Sequence, residues 1–344
     1  MRNEAIGICV KLEQAEKVRR YLSEKKLLRD DLKITKDNEF VYLPIKSITK
    51  ELDSHKLIKR DFEKRDTKTK SYKEIVSIPD RLKSVLPTAY DVIGNIILIK
   101  LPNNLLDYKK EIGDSLLKSN KNIKTVCVIK PVSGEFRTRN IEIIAGEKCT
   151  ITTHREYGLE YITDINKTYF SPRLATERKR VSSLVKKDEI VVDMFTGVAP
   201  FSIMIAKYAK PKIIYAIDKN KEAIKFAKLN IKRNNVLDKI EVINADAREI
   251  HKITQIKADR VIMNLPFSAH LFFTNALKII KNNSIIHYYD IINENKIQER
   301  INQLEKIAKE NKTILTNLEI RKIKTYAPRE FYMGIDITAK KMPM

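Results

Sequence analysis

The stretch Glu189–Phe201, EIVVDMFTGVAPF, limits what this chain can fold into more than any other segment. Its first half is an apolar run with β-branched residues at its centre, ending on Asp193. Such a run fits a strand covered on both faces, the condition of a strand inside a parallel sheet. Gly197 then stands where the chain must turn, Pro200 is placed to open a helix, and FSIMIAKYA continues at helical spacing. The chain holds eight glycines, and Gly197 is the only one between Gly158 and Gly334. A glycine kept there points to a sharp turn or to backbone lying close to a ligand.

A strand, a turn and a helix occur in every α/β domain, so the stretch gains its meaning from the strands C-terminal to it. KIIYAID reads as a second buried strand ending in Asp218, KIEVINAD as a third ending in Asp246, and ADRVIMNLP as a fourth ending in Asn264-Leu265-Pro266. The fold class expected is therefore α/β, Rossmann-like. Polar residues line one carboxyl edge of its parallel sheet, where open α/β sheets bind ligands. An acid at the end of the second strand can accept hydrogen bonds from both hydroxyls of a ribose. The turn Gly197-Val198-Ala199 lacks the full G-x-G-x-x-G that a dinucleotide's pyrophosphate wants. Adenosine carrying a cationic sulfonium suits this edge better, and S-adenosylmethionine is the cofactor expected.

The charge balance bears on the partner. Sixty-seven basic residues face 44 acidic ones, a formal net charge of +23. Such an excess repels itself unless a polyanion is at hand, which points to nucleic acid, although a lysine-rich composition with dense surface ion pairs is the competing account. Cys9, Cys127 and Cys149 are far apart, form no C-x-x-C pair, and read as small buried apolar residues. The five histidines show no metal-ligand spacing, so no metal is expected. No apolar stretch approaches the roughly 18 residues of a membrane span, and the first residues lack the apolar core of a signal peptide. A soluble, cytoplasmic protein is expected.

Taken in order, residues 1–55 read as a small α/β unit, residues 56–73 as a polar linker, 74–165 as a second α+β unit, and 166–344 as the sheet domain. In the first helix Ala15, Val18, Tyr21 and Leu22 share one face, while Arg19, Arg20, Lys25 and Lys26 populate the other. That basic face could contact phosphates, although a charged helix face is more often simply solvated. Asn95 after Gly94 signals a hairpin, and the segment around Gly158 signals another. In GEFRTRNIEIIAGE, Arg137 and Arg139 alternate with Phe136 and Thr138, so both would project from one face of an extended segment toward carboxylates, phosphates or the edge of a base. Local sequence makes Glu177 an ion-pair partner of Arg173, Arg178 or Arg180. Asn282-Asn283 reads as a left-handed helix end.

Five blocks carry a likeness to a known family: EFRTRNIEIIAGE (135–147), YFSPRLATER (169–178), VVDMFTGVAPFSI (191–203), VIMNLPFSAH (261–270) and YAPREF (326–331). Together, in this order and spacing, they resemble the archaeal and eukaryotic-type tRNA guanine-37 N1-methyltransferases, which use S-adenosylmethionine. The N-terminal unit is similar in size and position to that family's tRNA-recognition domain. Two positions depart from the family pattern: Ala199 stands at the second glycine of its turn, and Asn140 stands where Glu usually follows the second arginine.

The resemblance implies roles for residues. Glu177 would take the N1 proton, Arg137 would stabilise charge on O6, and Asn264 would present its amide to the guanine edge or the cofactor. Tyr169 would stack on the target base, and Pro266, stiffening the Asn264 turn, would lie against it. Cofactor contacts would come from Arg178, Phe195, Asp218, Lys219, Asp246, Ala247 and Asn264. Two alternatives stand beside this reading: a related wybutosine-pathway enzyme, methylating a wyosine precursor or transferring an aminocarboxypropyl group, and a tRNA-binding protein without catalysis. No obligatory protein partner is evident, and a monomer is expected.

Overall fold

The computed structural model describes residues 2–52, 55–64, 71–129, 140–253 and 255–343. They gather into two compact units, one ending at Glu74 and the other running from Ile75 onward.

In the first unit, β1 (Arg2–Lys11) lies between β3 (Phe40–Pro44) and β4 (Lys56–Glu63), with the short β2 (Thr35–Lys36) outside β3; all pairings are antiparallel. The segment expected to begin a linker at residue 56 is therefore a sheet strand. Its alternation of charged residues hides that role, because only Phe62 turns inward to full burial. The helix Leu12–Glu24 covers the sheet through Val18 and Leu22, which pack with Ile8, Val10 and Leu43.

The second unit is built on two larger sheets. β5 (Asp91–Ile93), β6 (Ile96–Ile99), β7 (Thr125–Ile129) and β8 (Ile141–Gly146) form one, in which only β6 and β7 run parallel. The hairpin β9 (Ile151–Glu156) and β10 (Leu159–Asp164) turns at Gly158. The other sheet has seven strands: β11 (Ile190–Asp193), β12 (Ile213–Asp218), β13 (Ile240–Asn244), β14 (Ala258–Asn264), β15 (Ile280–Asn293), β16 (Thr313–Ala327) and β17 (Glu330–Lys341). Their spatial order is β13-β12-β11-β14-β15-β17-β16, parallel from β13 to β15 and antiparallel thereafter. After β13 the chain returns to the far side of β11, so a crevice opens at the carboxyl ends of β11, β12 and β14.

The apolar runs behave as a two-faced sheet requires. Val191 packs on one face with Phe201, Ile214 and Ile262, while its neighbour Val192 packs on the other with Ile217, Val261 and Phe273. The first of these clusters continues into Ile96, Leu98, Leu159 and Tyr161. Asn230 ties β10 to the helix Lys221–Arg233 by accepting from Ile162 N–H at 2.7 Å and donating to its carbonyl at 2.9 Å. Residues 75–165 and the seven-stranded sheet thus share one core rather than forming two separate bodies.

Some local expectations differ from the structure. Asn282 and Asn283 lie within β15, in a bulged stretch where Ala258 pairs with Ile280 but Arg260 with Ile285, and neither adopts a positive φ. Asn283 pairs with Lys340 of β17, and this strand pairing outweighs the tolerance of Asn for the left-handed region. β13 ends at Asn244, leaving Asp246 in the loop beyond it. Of the cysteines, only Cys127 is fully buried, and Cys149 is exposed.

Gly7 offers a test of the first unit. A Cβ there would meet the Phe62 ring at 2.8 Å and the Leu43 carbonyl at 2.9 Å. Gly7→Ala is expected to destabilise this unit by about 1–3 kcal/mol through overpacking. Calorimetric unfolding should show one transition displaced downward and the other unmoved; a single displaced transition would contradict two separately stabilised units.

Candidate active site

The turn after β11 is held by its own strand ends. Asp193, 1% exposed, accepts hydrogen bonds from Thr196 Oγ1 at 2.9 Å and Ser202 Oγ at 2.8 Å, so one carboxylate oxygen braces both the turn and the first helical turn. Gly197, at φ +57, donates its N–H to Asp218 Oδ2 at 2.7 Å. The other Asp218 oxygen accepts from Asn220 N–H at 2.9 Å, and the Asn220 side chain caps the helix Lys221–Arg233. Burial pushes the Asp218 carboxyl pKa up, against these backbone donors.

Ala199 explains why a glycine is natural at its position. It sits at φ +66, ψ +36, a left-handed conformation that costs a residue with a side chain on the order of 1 kcal/mol. Its methyl is fully buried in the core beneath the turn and does not line the cavity. The departure from glycine at this position is therefore felt as backbone strain rather than as crowding of the cavity.

One cavity occupies the crevice. Its wall includes Tyr169, Phe195, Asp218, Lys219, Asp246 and Ala247, joined by Arg178, Asn264 and Pro266. The structure thus gathers at this wall every residue to which the resemblance assigns a role, except Glu177 and Arg137. Arg137 lies outside the described residues.

Several of the wall residues already have partners. Arg178, 1% exposed, forms a bidentate pair with Glu156 at 2.7 and 2.6 Å and donates to the Ser171 carbonyl at 3.2 Å. Its charge is thus engaged in fixing the Ser171 wall. Asp246 is paired with Arg248 at 2.6 Å and Lys219 at 3.5 Å, and the Arg248 hydrogen bond above all holds its pKa well below the usual carboxylate range. Arg248 also lies near the Phe272 ring, which meets Phe195 edge to face at 5.0 Å. Arg248 and Phe272 line the cavity without having been singled out. The AREI segment gives no signal beyond an ordinary helix start. Asn264 Oδ1 accepts from the Tyr332 hydroxyl.

Glu177 stands behind this wall, 7% exposed, in the first turn of the helix Ala175–Leu184. Arg180, one of the three partners that local sequence allows, donates to it at 2.9 and 2.7 Å, and Tyr289 Oη donates to Oε1 at 2.8 Å. Arg173 instead pairs with Asp91. Arg180 reaches on to Asp336 at 2.8 Å, which also holds Arg321 at 2.8 Å and His287 Nδ1 at 2.6 Å. Arg260 contacts His287 Nε2 at 2.7 Å and can only donate, so Nε2 accepts and Nδ1 carries the proton given to Asp336. Burial above all pushes the His287 pKa down, consistent with this neutral ring. Tyr289 packs on Tyr332, ring centroids 6.1 Å apart, so two neighbouring tyrosines connect Glu177 to Asn264. Neither tyrosine could be singled out from sequence, because β15 and β17 meet only through the antiparallel register.

Asp193 supplies a test by pH. Burial pushes its carboxyl up to about 6 from 3.8, with the Ser202 and Thr196 hydroxyls opposing. The folded state therefore holds this proton more tightly than the unfolded chain, and stability is lost as pH rises from about 4 through 6, by ~3 kcal/mol in all. Asp193→Asn is expected to be more stable than the parent at pH 7.5 by about 1–3 kcal/mol, with the advantage gone near pH 4. Urea unfolding at the two pH values reads this, and an advantage independent of pH would refute it.

Comparison with known proteins fits this geometry. Residues 152–316 match the TRM5/TYW2 methyltransferase domain, residues 72–150 the TYW2 N-terminal domain, and residues 7–53 the tRNA methyltransferase 5 N-terminal domain. The chain is 39% identical to the tRNA (guanine(37)-N(1))-methyltransferase Trm5b of Pyrococcus abyssi, over 96% of this chain and 98% of that one. It is 38% identical to Trm5b of Methanocaldococcus jannaschii, over 97% and 99%. A tRNA(Phe) (4-demethylwyosine(37)-C(7)) aminocarboxypropyltransferase of M. jannaschii is 34% identical over 72% of this chain and 96% of its own.

Among solved structures, P. abyssi Trm5b superposes with a TM-score of 0.75 at 39% identity, covering 98% of this chain and 99% of that one. The complex of aTrm5 with tRNALeu superposes with 0.70 at 36%, covering 97% and 99%. M. jannaschii TYW2 in complex with AdoMet gives 0.58 at 30%, covering 74% and 100%. With a relative this similar along nearly its whole length, and with the methyltransferase turn, acids and Asn-Leu-Pro loop around one crevice, the chain belongs to the TRM5/TYW2 family of methyltransferases.

Proposed function

We propose that this protein is an S-adenosylmethionine-dependent methyltransferase that modifies N1 of guanosine at position 37 of tRNA. The observation that carries the reading is the near full-length relationship to two Trm5b proteins, joined to a cavity that sets Asp218 and Asp246 beside the Asn264-Leu265-Pro266 loop. The aminocarboxypropyltransferase reading is weaker, because that relative leaves more than a quarter of this chain unmatched.

The donor set fits the cofactor. Asp218, buried and fixed by backbone N–H groups, keeps lone pairs for a ribose diol; Asp246 and the Ala247 backbone flank the place for adenine; Phe195 and Phe272 offer ring edges. S-adenosylmethionine, when bound, supplies the electrophilic methyl group. The chain's own residues must then prepare the guanine. N1 carries a proton and is a poor nucleophile until a base removes it, and Glu177 is the carboxylate assigned to that task. Asn264, held at its Oδ1 by the Tyr332 hydroxyl, is assigned to present its amide to the guanine edge or the cofactor. Arg137 is assigned to the developing charge on O6, as a fixed cation aimed at an oxygen. Tyr169 and Pro266 line the cavity where the unstacked base would lie. The Glu177–Arg180 pair must loosen, or Glu177 swing past it, when RNA enters. The net charge of +23 serves the RNA partner, and the cytoplasm is where such a substrate places the enzyme.

Labelled S-adenosylmethionine and unmodified tRNA transcripts, followed by nucleoside analysis, test the reading; label at any atom other than N1 of guanosine 37 would overturn it. Asp218→Ala is expected to weaken cofactor binding measured by calorimetry while melting temperature stays within a few degrees. Glu177→Gln should lower the single-turnover rate by roughly 10²–10⁴-fold with cofactor and tRNA binding nearly unchanged. A purely structural ion pair predicts the reverse, a lowered melting temperature with the rate within about tenfold of the parent.

A further inference from the structure

The YAPREF block and the residue after Pro266 hold neither cofactor nor guanine in the proposed reaction, yet they meet each other next to Pro266 of the cavity wall. Phe267 and Tyr326 touch edge to face, ring centroids 5.3 Å apart, and are 43% and 50% exposed. Phe267 is held at φ +73, a conformation that an aromatic residue keeps only when its surroundings hold it there. The hold is visible: its N–H donates at 2.9 Å to Asp290, which is fully buried and also accepts from Tyr288 and pairs with Arg300 at 3.0 Å. Tyr326 is fixed from the other side by the tight turn at Pro328-Arg329 that joins β16 to β17.

The surroundings are cationic. Lys324 lies with its Nζ 3.5 Å from Ser171 Oγ at the cavity wall and 5.1 Å from the Tyr332 ring, and Lys322 and Arg329 are exposed on the same hairpin. Glu294, an acid beside this turn, engages Arg329 only at 3.8 Å. Exposed rings on a rigid support, flanked by cations, are what stack an unpaired base while its phosphate is neutralised. A protein partner would more readily be met by a continuous apolar patch than by two rings among lysines.

We infer that Phe267 and Tyr326 form a stacking subsite for the nucleotide next to the guanosine that enters the cavity, with Lys324 and Arg329 at its phosphates. The inference rests on the tRNA methylation proposed for this chain and adds a second base-binding position to it. Removing the target base from the loop leaves its neighbours unstacked, and a rim platform recovers that stacking on the protein.

The test uses the full chain and tRNA transcripts that are intact or abasic at position 36 or 38. Tyr326→Ala should raise the Kd for the intact transcript by about five- to one-hundred-fold, as loss of one stacked base does. Tyr326→Phe should restore it, and S-adenosylmethionine affinity and melting temperature should not move. With one of the two abasic transcripts, Tyr326→Ala should have no further effect. Equal losses on both abasic transcripts, or unchanged affinity for the intact one, overturn the subsite. Nucleoside analysis of the parent reaction separates this from the reading it rests on: coupling to one abasic position without N1 methylation supports the subsite and removes the proposed reaction.

Discussion

The hydrogen bond from Gly197 N–H to Asp218 is the contact on which the site depends. It ties the turn leaving β11 to the carboxyl end of β12, the neighbouring strand on the side away from β14, where the sheet order reverses. Only a residue free to take φ +57 without strain can aim that N–H back at the neighbouring strand. The same carboxylate starts the next helix through Asn220, so the crevice floor, the turn and the helix after β12 are set by one acid. Ala199, two residues on, shows how firmly the rest of the sheet holds the turn, since it keeps a left-handed conformation at a position where a methyl is penalised.

A second buried array runs behind the cavity, from Glu189 through Arg260, His287, Asp336 and Arg180 to Glu177. Burying so many charges gains little stability, because desolvation offsets most of the attraction, but each group has a geometrically matched partner. The result is positional. Glu177 cannot rotate without breaking contacts to Arg180 and Tyr289, and Tyr289 and Tyr332 place Glu177 and Asn264 on one support across β15 and β17.

Of the residues assigned to the cofactor, Phe195, Asp218, Lys219, Asp246 and Ala247 follow the ends of β11, β12 and β13, whereas Arg178 lies on the helix Ala175–Leu184 beside Glu177, and Asn264, also assigned to the guanine, ends β14. The long β16–β17 hairpin carries exposed basic and aromatic residues, Lys322, Tyr326 and Arg329 among them.

The sequence by itself determined the parallel core, and the family resemblance implied most of the cavity wall. Each buried strand is a β-branched run that ends in a polar residue, so period and composition place Asp193, Asp218 and Asn264 at one edge without any knowledge of packing. It also implied an ion pair for Glu177, because Arg180 follows at helical spacing. Strand β4 was hidden, since its mostly charged face gives no alternating apolar signal, and so was the join between residues 75–165 and the large sheet, which is made by Asn230 and scattered apolar contacts. Only the tertiary structure decided that Tyr289, Tyr332, His287 and Asp336 surround Glu177. These residues lie far from Glu177 in the chain, Tyr289 by 112 positions, and no local pattern encodes an antiparallel register between β15 and β17.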